Sequence, residues 1–221
     1  MSEFAPRAVR ASEAARCYRM AAYRALGAPA ISPDPQVEEY FYRGRVFEEI
    51  EVRRLEAKFG KENVRRQVAI DWGMGEDGHA DAYVVPEKAL VEIKSTTTPT
   101  FSSPMVDMAI AQLRLYLRFY PDAEVGWLEL VDPNRMRPAD VIVVRNTEDD
   151  VLAIDAGVAW VRAGIGGGQL PPRVCARPNQ ARGRFCPFGS TCFEGWEPES
   201  PAEISDPDVL DAVADLSLIH I

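Results

Sequence analysis

The stretch Asp77-Gly-His-Ala-Asp81-Ala-Tyr-Val-Val-Pro-Glu-Lys-Ala-Leu-Val-Glu92-Ile-Lys94 holds two apolar runs separated by a turn-forming tripeptide. Residues 79–85 and 89–94 read as strands, and Pro86-Glu87-Lys88 between them reads as the turn of an antiparallel hairpin. Side chains alternate faces along a strand, so Glu92 and Lys94 point one way and Ile93 points the other, into a core. The hairpin brings Asp81 towards the Glu-x-Lys pair.

Working outward, residues 64–70 add a third strand before the hairpin. Ser12 is placed to cap a helix over 12–26 that carries Cys17 and is closed by Gly27. After a proline-rich break, Asp34 and Pro35 open a long helix to Phe59, stopped by Gly60. Ser103 and Pro104 start a helix to Tyr120 that is apolar around most of its circumference, which predicts burial. Residues 124–131 and 140–144 read as two more strands, and a capping box at Thr147 and Asp150 begins a helix to Ala163. The glycine run Gly164 to Gly168 is followed by Pro171-Pro172 rather than by a helix with Lys and Ser/Thr, so it reads as a linker and not a phosphate loop. The order of elements predicts an α/β sandwich around one mixed sheet.

The 221 residues, 47% of them hydrophobic, suffice for one well-cored domain and a modest extension. No apolar run approaches the roughly 18 residues that span a bilayer, and the N-terminus has no signal-peptide pattern, so a cytoplasmic location is expected. The net charge of -9 is uneven: no Lys or Arg follows Arg184, whereas Glu194, Glu197, Glu199, Glu203, Asp206, Asp208, Asp211 and Asp215 do. The acidity belongs to the tail, and the nearly neutral body neither favours nor excludes nucleic acid. The last six residues, Leu216 to Ile221, match the translation of a sequencing-library adapter and are left out of the fold reading. In a reducing compartment the four cysteines point to metal ligation or plain burial rather than to disulfides.

Asp81, Glu92 and Lys94 suit phosphodiester hydrolysis. Two carboxylates hold a hard divalent cation that keeps waters able to become the nucleophile, and an adjacent ammonium orients that water or offsets charge growing on the phosphate. The bland alternative is a surface hairpin with an ordinary Glu and Lys. The long helix adds a seam of Val37, Phe41, Gly44, Glu48, Val52, Leu55 and Phe59, in which Glu48 interrupts an apolar face and Gly44 permits close approach. A buried carboxylate needs compensation, from a metal site or from a neighbouring Arg. Gln112 and Tyr116, four apart on the apolar helix, either face the same cleft or pack as ordinary core.

Together, Gly44-x-x-x-Glu48, Gly78-His-x-Asp81, Glu92-Ile-Lys94, Gln112-x-x-x-Tyr116 and the cysteines resemble the RecB-like branch of the PD-(D/E)xK nucleases, within it the CRISPR-associated exonucleases and their phage relatives. The resemblance covers residues 12–192 and implies a restriction-endonuclease-like core in residues 1–170, a cysteine-rich cluster-binding segment in 171–195 and an acidic tail in 196–221. It implies DNA hydrolysis with Mg²⁺ or Mn²⁺ held by Glu48, Asp81, Glu92 and the carbonyl of Ile93, with Lys94, Gln112 and Tyr116 in the catalytic set. The family often has His where this chain has Glu48, and Glu occurs in related branches. The resemblance further implies a 4Fe-4S cluster on Cys17, Cys175, Cys186 and Cys192, with structural zinc the other occupant four thiolates accept. The gap from Cys175 to Cys186 is wider than the family's usual spacing. Expected partners are DNA, single-stranded or with free ends, and proteins of CRISPR adaptation or phage recombination. Arg65, Arg66, Arg114 and Arg118 are candidate phosphate contacts, or solvated helix and strand charges. Site-specific endonuclease action on the same core, or a catalytically silent binding module, are the rival functions.

Overall fold

The structure, a computed structural model, describes residues 9–32, 35–75, 78–96, 103–134, 137–167, 169–176 and 186–193. The elements run α1 (Ala11–Arg16), α2 (Tyr18–Ala25), α3 (Pro35–Phe59), β1 (Val64–Ile70), β2 (Gly78–Val84), β3 (Ala89–Ser95), α4 (Pro104–Phe119), β4 (Val125–Asp132), β5 (Arg137–Val144), α5 (Glu148–Gly167) and α6 (Gly189–Phe193). The chain divides into two compact units, one of residues 33–73 and 77–147 and the other of 1–32, 74–76 and 148–221. Asp34, the expected cap of α3, and the acidic tail with Leu216 to Ile221 lie outside the described residues.

The first unit is a five-stranded mixed sheet in the order β1-β2-β3-β4-β5, with α3 and α4 on its faces. Only β3 and β4 are parallel, and α4 is the crossover that joins them. The β2–β3 hairpin forms as the alternation predicts, with a 3-10 turn at Val85–Glu87 and Lys88 left-handed at φ 47°. One sheet face carries Ala89, Val91, Ile93, Val125 and Val131 against Val52 and Leu55 of α3. The other carries Leu90, Leu128 and Leu130, and Leu113 of α4 lies where a Cβ on Gly126 would stand 3.2 Å from it. Glu92 and Lys94, in register with Leu128 and Leu130, share this α4 face.

α3 ends at Gly60, whose φ of 90° no β-carbon tolerates well. Its solvent side is stitched to β1 by Arg66, which pairs with Glu56 and Glu49, each at 2.7 Å. The inward seam differs from expectation. Glu51 is buried to 1% exposure beside Val52, whereas Glu48 is only half-buried, and a Cβ at Gly44 would meet nothing within 4 Å. Side chains of Val37 and Phe41 lie outside the described residues. Ser103 caps α4 as read, accepting from the backbone N–H of Val106 at 3.3 Å.

In the second unit, the helix expected over 12–26 is two helices broken at Cys17, whose extended backbone (φ -169°, ψ 116°) turns the thiol out of the helical path. Ser12 lies inside α1 and does not cap it; Arg10 holds that position without a side-chain cap. α5 continues through Gly167, so the glycine run up to there is helix and not linker. Packing explains the change: Gly157 stands against the Tyr18 ring, and a Cβ on Gly164 would lie 2.9 Å from the Gln169 carbonyl and 3.6 Å from Ala22. The chain's N- and C-terminal parts meet here, with Ile31 N–H donating to Pro187 O at 2.8 Å and Thr191 Oγ1 donating to Pro29 O at 2.6 Å.

Candidate active site and thiol pocket

The β2–β3 ladder pairs Val84 with Ala89, Tyr83 with Leu90 and Ala82 with Val91, and then stops. Past that point Asp81 takes over the role of a ladder carbonyl, its Oδ2 accepting the Ile93 N–H at 2.6 Å. The strands thus part at the two positions where the carboxylates of Asp81 and Glu92 emerge. On β1 the ladder is open as well: Arg66 pairs with Ala82 and Val68 with Ala80, but Gln67 and Asp81 between them do not pair.

Glu92 is buried to 1% exposure. Its Oε1 pairs with Lys94 Nζ, while Oε2 is buried without a hydrogen-bond partner. An orphaned carboxylate oxygen in a buried site costs about 1–3 kcal/mol, more when charged. Burial, then the charge of Glu92, push the Asp81 carboxyl well above its usual range, and the backbone donor and Lys94 only partly oppose this. Burial works against the Lys94 charge, yet Glu92 and Asp81 outweigh it and hold the ammonium protonated. Two carboxyl groups thus flank one ammonium. Burial also raises the Glu48 carboxyl, with Gln67 opposing and Glu92 adding to the rise, so Glu48 stands within electrostatic reach of the pair. Its carboxylate accepts from Gln67 Nε2.

From α4, Gln112 Nε2 donates to the Tyr116 hydroxyl at 2.8 Å. Tyr116 is buried, and burial and the charge of Glu92 raise its hydroxyl pKa. The structure therefore brings Asp81, Glu92, Lys94 and Tyr116 into one electrostatic environment, with Gln112 attached through Tyr116. Ile93 supplies its side chain to the α3 core and its N–H to Asp81. Among the described residues no three His, Cys, Asp or Glu side chains form a ready ligand group for a single metal ion. Two carboxylates with an orphaned oxygen fit a hard divalent cation that takes few protein ligands and keeps several waters, as Mg²⁺ does.

The candidate phosphate contacts are dispersed. Arg66 is held by its two glutamates, Arg65 reaches the Tyr120 hydroxyl at 3.4 Å and stacks 5.6 Å over the Tyr83 ring, and Arg118 lies 5.7 Å over Phe119. The Arg114 carbonyl accepts from Asn146 Nδ2 at 2.9 Å. Nothing in the sequence marks Gln67 or Glu51; both read as ordinary strand and helix positions.

In the second unit, Cys17, Cys175, Cys186 and Cys192 line one pocket, with Phe188 and Met20 among its apolar walls. Burial raises the thiol pKa of Cys17 and of Cys186, and each of these thiols is near enough to Cys175 to feel its charge. Phe188, 1% exposed, stacks 5.6 Å from Tyr23, and Arg173 binds the Cys192 carbonyl at 2.8 Å. All four thiols thus lie around one apolar pocket.

No family model matches the sequence, and neither does any curated protein. The fold is similar to solved structures. SSO0001 superposes with a TM-score of 0.52 at 18% identity, over 83% of this chain and 85% of that one. The alkaline exonuclease LHK-Exo from Laribacter hongkongensis, also solved in complex with dAMP, gives 0.50 at 18% identity over 72% of this chain and 87% of its own. A phage related exonuclease from Haemophilus somnus 129PT gives 0.52 at 14% identity, over 72% and 94%. The fold is thus an α/β, nuclease-like one, a mixed five-stranded sheet with flanking helices. No helix among the described residues is long and apolar enough to cross a membrane.

Proposed function

We propose that the chain is a metal-dependent DNA exonuclease of the RecB-like PD-(D/E)xK type, and the observation that carries this is the orphaned, buried Oε2 of Glu92 beside the charge-crowded Asp81. Asp81, Glu92 and the carbonyl of Ile93 would hold Mg²⁺ or Mn²⁺, with Glu48 at the rim. When bound, the cation supplies an activated water and stabilises charge on the phosphate. Lys94, held protonated by its two acidic neighbours, orients the attacking water or meets the growing phosphate charge. The Tyr116 hydroxyl, kept neutral by burial and fixed by Gln112, is a donor for a phosphate oxygen. Two of the similar folds are named as exonucleases, which supports action from DNA ends over internal cleavage.

The four-thiol pocket supports a 4Fe-4S cluster in the second unit, and with it placement near the CRISPR-associated exonucleases and their phage relatives. Structural zinc is the other occupant that four thiolates accept.

The test pairs end-labelled linear DNA with closed circular DNA, with Mg²⁺ or EDTA, using wild type, Asp81→Asn and Lys94→Ala. Degradation of the linear substrate alone, lost in both variants and in EDTA, is the expected result. Cleavage of circles points to an endonuclease, and equal activity of all three proteins removes the catalytic assignment. Anaerobic purification should give brown protein with iron and sulfide; colourless, zinc-loaded protein overturns the cluster.

A further inference from the structure

Gln67 lies in the middle of β1 with φ 46°, in the left-handed region that disfavours a side chain. The other described non-glycine residue in that region, Lys88, closes a turn, so Gln67 is the one that stands inside a strand. Regular pairing continues on both sides of it, through Arg66 with Ala82 and Val68 with Ala80. The residue that faces it across the opened ladder is Asp81. Its side-chain amide donates to Glu48 Oε1. Strain in the backbone, a gap in the ladder at a candidate ligand and a bond to the neighbouring acid thus coincide at one residue.

Building on the metal-site reading above, we infer that Gln67 is a positioning residue, set in its left-handed conformation to aim the Glu48 carboxylate at the rim of the cation site. An amide suits this task. An Arg in its place would cancel the charge of Glu48 and weaken the field that attracts a cation, and a water would leave the carboxylate free to rotate. With Oε1 fixed by the amide, Oε2 stays available to accept from a water of the hydrated cation. Backbone strain held next to a site is the usual signature of such pre-organisation.

The experiment is Mn²⁺ binding to the full chain without DNA, followed by the electron paramagnetic resonance signal of the free ion. Gln67→Gly keeps the backbone conformation and removes the amide, and Gln67→Asn tolerates the same backbone but falls short of Glu48. Both should keep the wild-type unfolding midpoint or exceed it, and both should bind Mn²⁺ about tenfold more weakly. In a Glu48→Gln background, Gln67→Gly should have no further effect. Wild-type affinity in the two Gln67 variants overturns the inference while Asp81→Asn, by losing Mn²⁺, still upholds the metal site. A full tenfold loss on top of Glu48→Gln also overturns it, since Gln67 then does not act through Glu48. A wild-type protein that takes up no Mn²⁺ overturns the metal-site reading and this inference together.

Discussion

The Oδ2 of Asp81 accepts the backbone N–H of Ile93 at 2.6 Å, the two residues standing one and two positions beyond the last pair of the β2–β3 ladder. One carboxylate therefore both completes the strand's hydrogen bonding and faces a second, orphaned carboxylate. These two roles separate on substitution. Asp81→Asn keeps an acceptor for Ile93 and removes the charge; Asp81→Ala leaves the N–H unsatisfied, at about 1–3 kcal/mol. In EDTA, Asp81→Asn should melt at or above wild type because it relieves the repulsion with Glu92, and Asp81→Ala should melt below. Added Mn²⁺ should raise the melting temperature of wild type alone. An Asn variant that gains as much from Mn²⁺ as wild type would remove Asp81 from the ligand set.

Lys94 is the counter-charge of Glu92, whose side chain is 2% exposed. The Lys94 side chain is 34% exposed, so its removal leaves Glu92 uncompensated at a cost that water partly screens. Lys94→Ala should therefore lower stability in EDTA as well as abolish cleavage. A divalent cation beside Glu92 offsets the lost ammonium, so Mn²⁺ should raise the melting temperature of Lys94→Ala more than that of wild type. Thermal melts with and without the metal measure this. An equal gain in the two proteins places the cation away from Glu92.

The hairpin, the strand faces and the Gln112 to Tyr116 spacing were legible because they rest on local periodicity, two residues in a strand and four along a helix. What escaped depends on three-dimensional neighbours. Arg65-Arg66-Gln67-Val68 has the composition of a plain strand, and no residue type announces the left-handed turn at its third position. The α3 seam reads equally well through Glu48 or Glu51, and only the position of the sheet decides that Glu51 is the buried one. Cys17 sits in a run of helix formers, yet the helix breaks there, at a residue that lines the thiol pocket.

Two of the helix glycines, Gly44 and Gly157, make opposite predictions. A Cβ on Gly44 meets nothing within 4 Å, so Gly44→Ala should gain about 0.5–1 kcal/mol from helix propensity. At Gly157 the same methyl collides with the Tyr18 ring, so Gly157→Ala should lose stability, with partial recovery in Gly157→Ala/Tyr18→Ala. Denaturant midpoints of the three variants decide it. Loss of stability in Gly44→Ala would restore the close approach expected from sequence.

On the α3 side of the sheet, Glu129 is 7% exposed, and burial together with the charge of Glu51 pushes its carboxyl up to about 7. Lys58 and Arg54 lie near enough to oppose this but do not reverse it, and Arg54 is already paired with Glu51. An unfolded glutamate titrates near its ordinary value of about 4.3. Below that value Glu129 is protonated in both states and costs nothing. As pH rises towards 7 the unfolded state releases its proton first, so folding loses stability across that window; above 7 the full penalty, about 4 kcal/mol, is present. Glu129→Gln mimics the protonated form. It should match wild type near pH 4 and exceed it by most of that amount at pH 8, with a flatter stability curve between. Urea titrations at several pH values read the difference directly, and parallel curves for the two proteins would mean that folding leaves the Glu129 carboxyl unshifted.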